Sequence, residues 1–285
     1  MDAIALPLVR IALTEDIGGG DVTTEAVVDA GARARAHIEA RCECVLAGTE
    51  VAALAFRELD PDLKITWRAA DGAEVKSGQR IAEIDGRARA VLSAERVALN
   101  FLQRLSGIAT RTREFVRAVE GSGVRILDTR KTMPGLRFLE KQAVMVGGAA
   151  NHRYGLFDGF LLKENHLRAA GGLRGAIGRA GAAKGEMSLI VEVRNVEEAL
   201  EAASLGVDRV LLDNFTPAQV AQVVKRLGAA GLRRAPEIEV SGGITLQNVR
   251  AYAVPGVSYI SVGALTHSAP AVDLSLLVDS VEPAG

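Results

Sequence analysis

The sequence has few cysteines and few aromatic residues. Cys42 and Cys44 are the only two cysteines in 285 residues, and they lie too close together to bridge distant parts of a fold. A disulfide framework is therefore excluded, which favours a reducing compartment, and we expect a cytoplasmic protein. Aromatic residues make up 4% of the chain against 48% hydrophobic residues, so the core must be mainly aliphatic.

The chain also lacks a charge excess and a long apolar run. Lys and Arg number 34 and Asp and Glu 35, a formal net charge of −1. This balance argues against a basic body that binds nucleic acid or a membrane surface. No run reaches the roughly 18 apolar residues of a membrane span, and the first residues do not resemble a signal peptide. We therefore expect neither a nucleic-acid partner nor a membrane. The length suits about two domains of roughly 150 residues.

The N-terminal part has the pattern of a small α+β domain. Ile4, Leu8 and Ile11 recur at helical spacing before the glycines at 18–20, which predicts a first helix. Short alternating segments between about 33 and 90 predict strands, with a helix over 50–59. A long helix over about 93–119 follows and is expected to link two domains.

After Gly121 the pattern becomes strand, loop and helix, repeated. The predicted strands are 124–128, 159–163, 188–193, 208–213, 237–241 and 258–263. The predicted helices between them are 137–146, 168–180, 196–205, 217–230 and 246–253. Near-continuous apolar strands that alternate with amphipathic helices indicate a parallel sheet covered on both faces. The pattern leaves a barrel and an open doubly wound sheet as alternatives, although no G-x-G-x-x-G follows a strand.

Each predicted strand has a polar residue or a glycine at or next to its carboxyl end. These residues are Asp128, Lys163, Glu192, Asp213, Ser241 and Gly263. In a parallel barrel the carboxyl ends of the strands gather on one face, and that face carries the active site.

These strand ends are sorted by charge. The first two units supply Arg130, Lys131, His152, Arg153 and Lys163, and the next two supply Glu192 and Asp213. The last two supply turns around Ser241-Gly242-Gly243 and Gly263, whose backbone N–H groups suit a phosphate. Arginine binds planar carboxylates, and Mg²⁺ is commonly held by one or two carboxylates together with substrate phosphates. We therefore expect a carboxylate-bearing substrate and a magnesium-bound phosphorylated one. Arg194 either adds positive charge near a pyrophosphate or points to solvent.

Seven motifs resemble, in order, the quinolinate phosphoribosyltransferase family. They are EDIGGGDVTT (15–24), ERVALNFLQRLSGIAT (95–110), DTRKTMPGLRFLEK (128–141), NHRYGLFDGFLLKENH (151–166), LDNF (212–215), EVSGGI (239–244) and ISVGALTHS (260–268). The resemblance covers nearly the whole chain, and the second, third and fourth motifs are long.

The resemblance implies an N-terminal α/β sandwich domain followed by an incomplete TIM-like α/β barrel with parallel strands. The expected domains are 1–110 with the linking helix, a catalytic barrel over 111–265, and a tail over 266–285 that returns to the N-terminal domain. The implied reaction converts quinolinate and phosphoribosyl pyrophosphate to nicotinate mononucleotide, CO₂ and pyrophosphate with Mg²⁺, in NAD biosynthesis. The implied assembly is a homodimer with shared active sites, with a hexamer left open.

The resemblance also assigns roles to particular residues. Arg96 resembles an arginine donated across the dimer. The quinolinate pocket is expected from Arg130, Lys131, His152, Arg153 and Lys163, and Thr129 is expected to bind substrate as well. Glu192 and Asp213 are expected to hold Mg²⁺, partly through water, and to act with Lys131 as catalytic residues. Ser241, Gly242, Gly243 and Gly263 are expected to form the phosphate site.

Several alternatives remain at this stage. A paralogue encoded in molybdenum operons, another phosphoribosyltransferase such as a nicotinate-using one, and a non-catalytic nucleotide-binding relative would share much of this pattern. A different enzyme class, a Schiff-base aldolase, would use Lys163 as its nucleophile.

Overall fold

The computed structural model describes residues 2–283, so the last two residues of the expected tail over 266–285 lie outside the described residues. The helices are α1 (Asp2–Ile17), α2 (Val22–Val27), α3 (Thr49–Leu59), α4 (Ala88–Ala118), α5 (Arg137–Val146), α6 (Glu164–Ala169), α7 (Leu173–Ala183), α8 (Val196–Ser204), α9 (Pro217–Ala229), α10 (Val249–Tyr252) and α11 (Ala264–His267). The strands are β1 (Arg33–Ala40), β2 (Cys44–Val45), β3 (Lys64–Trp67), β4 (Glu74–Val75), β5 (Arg80–Arg87), β6 (Arg125–Leu127), β7 (Phe160–Leu162), β8 (Leu189–Val193), β9 (Arg209–Asp213), β10 (Glu237–Ser241), β11 (Tyr259–Ser261) and β12 (Leu274–Glu282).

The chain divides into two units. The antiparallel unit contains the residues up to Arg113, the segment Met133–Gly148 and the residues from Ser268 onward. The parallel unit contains Glu114–Thr132 and Ala149–His267. Among residues 2–283, no helix combines the length and the apolar character that crossing a lipid bilayer requires.

The antiparallel unit is built on a four-stranded sheet in the order β12-β1-β5-β3. In β1 the small apolar residues Ala34, Ala36, Ile38 and Ala40 are buried, as the two-residue period of a strand requires. The C-terminal strand β12 pairs antiparallel with β1 along its whole length, from Arg33 opposite Glu282 to Ala40 opposite Leu274.

The parallel unit is built on a six-stranded sheet in the order β6-β11-β10-β9-β8-β7. The first strand therefore lies beside the last, and the sheet curls round with its opening between β6 and β7. At this opening a single parallel bridge joins Leu127 to Ala150. The expectation of an N-terminal α/β sandwich domain followed by an incomplete α/β barrel with parallel strands is confirmed.

Two predicted helices of the barrel differ in the structure. The helix predicted over 168–180 is instead the pair α6 and α7, because Gly171 and Gly172 between them adopt φ values of +75° and +114° that helical residues do not adopt. Helix α5 has the predicted bounds but belongs to the antiparallel unit. It packs on α4, where a Cβ at Gly147 would lie 2.7 Å from the carbonyl oxygen of Ala109.

Candidate active site

Glu192 and Asp213 lie on the same face of the parallel sheet as a buried apolar cluster. Leu161, Ile190 and Leu211 form a buried cluster on this face, one from each of three adjacent strands. The sheet register pairs Glu192 with Leu211, and side chains two residues apart on a strand point the same way. Asp213 therefore lies on the same face as Glu192, two residues nearer the carboxyl end of the sheet.

Lys163 and Glu192 form an ion pair at this end of the barrel. Lys163 Nζ lies 3.1 Å from Glu192 Oε2, and the two side chains are 51% and 16% exposed. Lys163 directly follows β7 and caps α6, while Glu192 is the penultimate residue of β8. The structure thus joins a residue expected to bind a carboxylate to one expected to act on the ribosyl half.

Asp213 ends β9 and is held by the residue that follows it. Asn214 Nδ2 donates to Asp213 Oδ2 at 2.8 Å, and the Asn214 amide donates to the Ser241 carbonyl at 2.9 Å. Asn214 has φ +59°, the only positive φ of a non-glycine residue among residues 2–283. A Cβ at Gly242 would lie 2.3 Å from Asn214 Oδ1, so Gly242 is required for this close approach. Asn214 is not among the site residues predicted from the sequence, although it lies in the LDNF motif.

Lys131 is fixed by hydrogen bonds to its backbone. Its amide donates to Thr129 Oγ1 at 3.0 Å, and its carbonyl accepts from the buried hydroxyl of Thr266 at 2.8 Å. The Lys131 side chain passes over Gly263, where a Cβ would lie 3.0 Å from Lys131 Cδ. Gly263 therefore makes room for the lysine, in addition to the phosphate role expected of it.

Arg153 and Arg130 place two like charges near one another. Burial lowers the pKa of the Arg153 guanidinium, and the Arg130 charge lowers it further, against a weaker opposing effect from Asp158. Within the described residues Arg153 forms no ion pair, and its Nη1 donates to the Gly159 carbonyl at 3.3 Å. Two guanidinium groups so placed repel each other until an anion binds between or beside them.

His152 is largely buried, with its side chain 7% exposed. Its amide donates to Asp128 Oδ1 at 2.7 Å, and Asp128 is fully buried just after β6. Its ring contacts Glu239, a residue of β10 that sequence analysis did not single out as a site residue.

Arg96 and Arg194 are not among the cations described above. Arg96 lies on α4 in the antiparallel unit, with an exposed side chain. Arg194 is occupied elsewhere, because it pairs with Glu164 at 3.0 Å and with Glu198 at 3.6 Å. The Arg194 side chain is 56% exposed, and its ion pairs are with surface glutamates.

The donor set is suited to anions and to a metal that arrives with its ligand. Among residues 2–283 no three His, Cys, Asp or Glu side chains cluster closely enough to hold a metal alone. Glu192 and Asp213 supply two carboxylates on one face, which fits Mg²⁺ completed by substrate oxygens. The parallel barrel with charged residues at its strand ends defines the class of α/β-barrel proteins, in which this end of the strands carries the active site.

Comparisons with known proteins identify the family. Residues 21–106 match the family described as "Quinolinate phosphoribosyl transferase, N-terminal domain", and residues 108–277 match the corresponding C-terminal domain. The chain belongs to the quinolinate phosphoribosyltransferase family, so the resemblance seen in the sequence motifs is confirmed.

Individual relatives agree over nearly the whole chain. A Bacillus subtilis (strain 168) protein named "Probable nicotinate-nucleotide pyrophosphorylase [carboxylating]" is 43% identical over 263 residues, 92% of this chain and 89% of that protein. "Quinolinate phosphoribosyltransferase [decarboxylating] 1" of Nicotiana glauca is 40% identical over 288 residues, 96% of this chain and 82% of that protein. The solved structure of the nicotinate-nucleotide pyrophosphorylase from Francisella tularensis has a TM-score of 0.92 at 40% identity and covers 98% of this chain and 97% of that one.

Proposed function

We propose that this chain is a quinolinate phosphoribosyltransferase, which converts quinolinate and phosphoribosyl pyrophosphate to nicotinate mononucleotide, CO₂ and pyrophosphate in NAD biosynthesis. The observation that carries the proposal is the half-buried Arg153 with no acidic partner among the described residues, beside a second arginine. Such an arrangement is unfavourable without an anion, and it suits a ligand with two carboxylates.

The quinolinate half of the site is assigned to the cations of the parallel unit. Arg130 and Arg153 are suited to forked contacts with a carboxylate, and Lys131 and Lys163 to single charge contacts. His152 accepts a hydrogen bond from the Arg153 amide, and the Thr129 hydroxyl accepts one from the Lys131 amide.

The ribosyl half is assigned to the acids and the glycine turn. As pyrophosphate leaves C1 of the ribose, positive charge develops on the sugar, and the carboxylates of Glu192 and Asp213 stabilise it. Ser241, Gly242, Gly243 and Gly263 are assigned to the phosphate, because this part of a parallel barrel commonly binds phosphate through backbone N–H groups.

The chemistry then needs no covalent intermediate on the protein. The pyridine nitrogen forms a bond to C1 as the bond from C1 to the pyrophosphate oxygen breaks. The bond from C2 of the ring to its carboxylate breaks next, and the electron pair remains at C2 beside the positive ring nitrogen until a proton arrives. Lys131 and Lys163 hold the substrate in position while CO₂ departs.

Mg²⁺ fits the residues present. Glu192 and Asp213 would hold it, partly through water, and the ion would neutralise charge on the leaving pyrophosphate. Because Mg²⁺ favours one or two protein carboxylates with substrate oxygens, a pair of acids is the expected donor set.

The Schiff-base alternative is disfavoured by the ion pair at Lys163. Nucleophilic attack requires a neutral amine, whereas this ammonium lies 3.1 Å from the Glu192 carboxylate. No described contact favours the molybdenum-operon paralogue or a non-catalytic role over the proposed activity.

For the assembly, we propose a homodimer in which Arg96 completes the partner's site. Its exposed position on α4 leaves the side chain available to a second chain. A mixture of Arg96→Ala and Lys163→Ala chains tests this, because a shared site yields heterodimers with one intact site. Activity that returns after subunit exchange supports the proposal, whereas confirmed exchange without activity contradicts it. We also propose a cytoplasmic location, consistent with the free thiols of Cys42 and Cys44.

The activity is tested with purified protein, Mg²⁺, phosphoribosyl pyrophosphate and quinolinate labelled with ¹³C in its 2-carboxylate. The expected result is one labelled CO₂ for each nicotinate mononucleotide formed. Arg153→Gln should remove most activity, and the matched control Arg194→Gln, an exposed arginine already paired with glutamates, should retain it. Mononucleotide formation without labelled CO₂, or equal losses in both variants, would contradict the proposal.

A further inference from the structure

A buried polar network crosses the interior of the barrel beneath the candidate site. Its centre is Glu239 of β10, which is fully buried. Arg209 Nη1 of β9 donates to Glu239 Oε2 at 3.0 Å, and Ser261 Oγ of β11 donates to Oε1. His152 Nε2 lies 3.3 Å from the same Oε1 atom. The carboxylate therefore connects two barrel strands to the segment that precedes β7, beside the barrel opening.

We propose that Glu239 is a positioning residue, which holds His152 in one tautomer and thereby fixes Arg153 for binding the substrate carboxylate. This inference rests on the proposed function for its link to quinolinate. It assigns a task to a residue inside an apolar strand, two positions before the expected phosphate turn.

The contacts of the His152 ring define the tautomer. Nδ1 accepts a hydrogen bond from the Arg153 amide at 2.7 Å, so Nδ1 carries no proton. The ring proton is then on Nε2, which lies 3.3 Å from Glu239 Oε1. Because the Arg153 amide is bound to Nδ1, the ring orientation sets the backbone from which the Arg153 side chain extends.

The environment of Glu239 suits an ionised acceptor. Burial raises the pKa of its carboxyl and is the largest single effect, whereas the contacts with His152 and Ser261 lower it. The Arg209 charge acts in the same direction, so the net pKa is lowered. A carboxylate has acceptor oxygens only, and this is the property that requires a proton on His152 Nε2.

Glu239→Gln replaces one acceptor oxygen of the carboxylate by an NH₂ donor, with almost no change in size. The guanidinium of Arg209 has only donors, so the amide oxygen of the glutamine is expected to face Arg209. Its NH₂ group then faces His152 Nε2, which must become an acceptor. The ring proton moves to Nδ1, and the hydrogen bond from the Arg153 amide is lost.

Glu237→Gln is the matched control. Glu237 lies on the same strand and also binds Arg209, at 2.9 Å and 3.0 Å. Glu237 also accepts a hydrogen bond from the Tyr259 hydroxyl at 3.0 Å and does not contact His152, so the control weakens the Arg209 contact and leaves His152 unchanged.

Two measurements test the proposal. ¹⁵N NMR of the four histidines, with His152 assigned by its loss in His152→Asn, should show a protonated Nε2 in the native protein and a protonated Nδ1 in Glu239→Gln. Steady-state kinetics of Glu239→Gln should show KM for quinolinate raised about 10- to 100-fold, with KM for phosphoribosyl pyrophosphate within about twofold. Glu237→Gln should leave both KM values within about twofold.

Three results would overturn the proposal. They are a protonated Nδ1 in the native protein, a tautomer change in Glu239→Gln with an unchanged KM for quinolinate, and equal effects of the two glutamine variants. The native tautomer is decisive even if Glu239→Gln does not fold. The tautomer measurement also needs no turnover. If the proposed function is wrong, the native protein is inactive with quinolinate, whereas if the His152 assignment is wrong, the native tautomer differs from the predicted one.

Discussion

The turn after β10 allows a quantitative test, because two glycines with similar backbone strain differ in their surroundings. Gly242 has φ +95°, and a Cβ there would lie 2.3 Å from Asn214 Oδ1 and 2.8 Å from the Asn214 backbone nitrogen. Gly206, after α8 and away from the site, has φ +78° and nothing within 4 Å of its Cβ position. Gly206→Ala is therefore a matched control for strain alone.

The expected magnitudes follow from this difference. An alanine in the left-handed region costs about 1–2 kcal/mol of unfolding free energy, and Gly206→Ala should lose that amount. Gly242→Ala must also displace Asn214, whose bond to Asp213 is 2.8 Å long. Loss of a hydrogen bond to a charged group adds about 1.5–3 kcal/mol, so we expect about 2.5–5 kcal/mol in total.

Thermal unfolding and binding of phosphoribosyl pyrophosphate measure the two consequences. Each kcal/mol lowers Tm by about 2–4 °C for a domain of this size. Gly242→Ala should also weaken binding of phosphoribosyl pyrophosphate, because the displaced Asn214 no longer orients Asp213, whereas Gly206→Ala should not. Equal losses of Tm in the two variants, or normal binding by Gly242→Ala, would refute the reasoning.

Three further predictions concern ion pairs. Arg104→Met removes the guanidinium that lies 2.8 Å from the fully buried carboxylate of Glu140, and urea denaturation should show that the unfolding free energy falls by about 3–5 kcal/mol. A negligible fall would contradict this prediction. Burial raises the pKa of Asp208, but its lysine, amide and arginine partners together lower it by more, so the pKa lies below its usual value. Its stabilisation is present above the unfolded pKa of about 3.9 and lost as the pH falls through the folded value, so Asp208→Asn should destabilise at pH 7 and progressively less below about pH 4; a cost independent of pH would be inconsistent. Lys163→Met leaves Glu192 without its partner and should raise KM for quinolinate about 10- to 100-fold in initial-rate assays. A change in KM for phosphoribosyl pyrophosphate alone would contradict this and would assign Lys163 to the ribosyl half of the site.

The parallel strands could be predicted from the sequence because each is an apolar run that ends in a polar residue. Asp213 and Ser241 end their strands as expected, and the register then places them opposite each other. The C-terminal strand β12 was not predicted as a strand, because several of its apolar residues, among them Leu277, Val278 and Val281, are partly exposed and give no clear alternation.

The interior network could not be predicted, because it depends on how deep in the barrel each position of β10 lies: Glu237 begins the strand and Glu239 is at its buried middle. Glu237 and Glu239 both stand in the segment EIEVS and look equivalent in sequence. Only the packed sheet leaves Glu237 47% exposed and Glu239 fully buried against His152. Likewise, Asn214 acquires its role from the close approach of Gly242, which belongs to the neighbouring strand's turn.

The central claim is that the cations of the parallel unit form a site for two carboxylates. The most direct measurement is kcat/KM for quinolinate and for nicotinate on the same preparation, with Mg²⁺ and phosphoribosyl pyrophosphate at saturation. Because a site built for a buried charged group rejects an analogue that lacks it, we predict a preference for quinolinate of about 10⁴-fold or more. Comparable values for the two substrates would contradict the account.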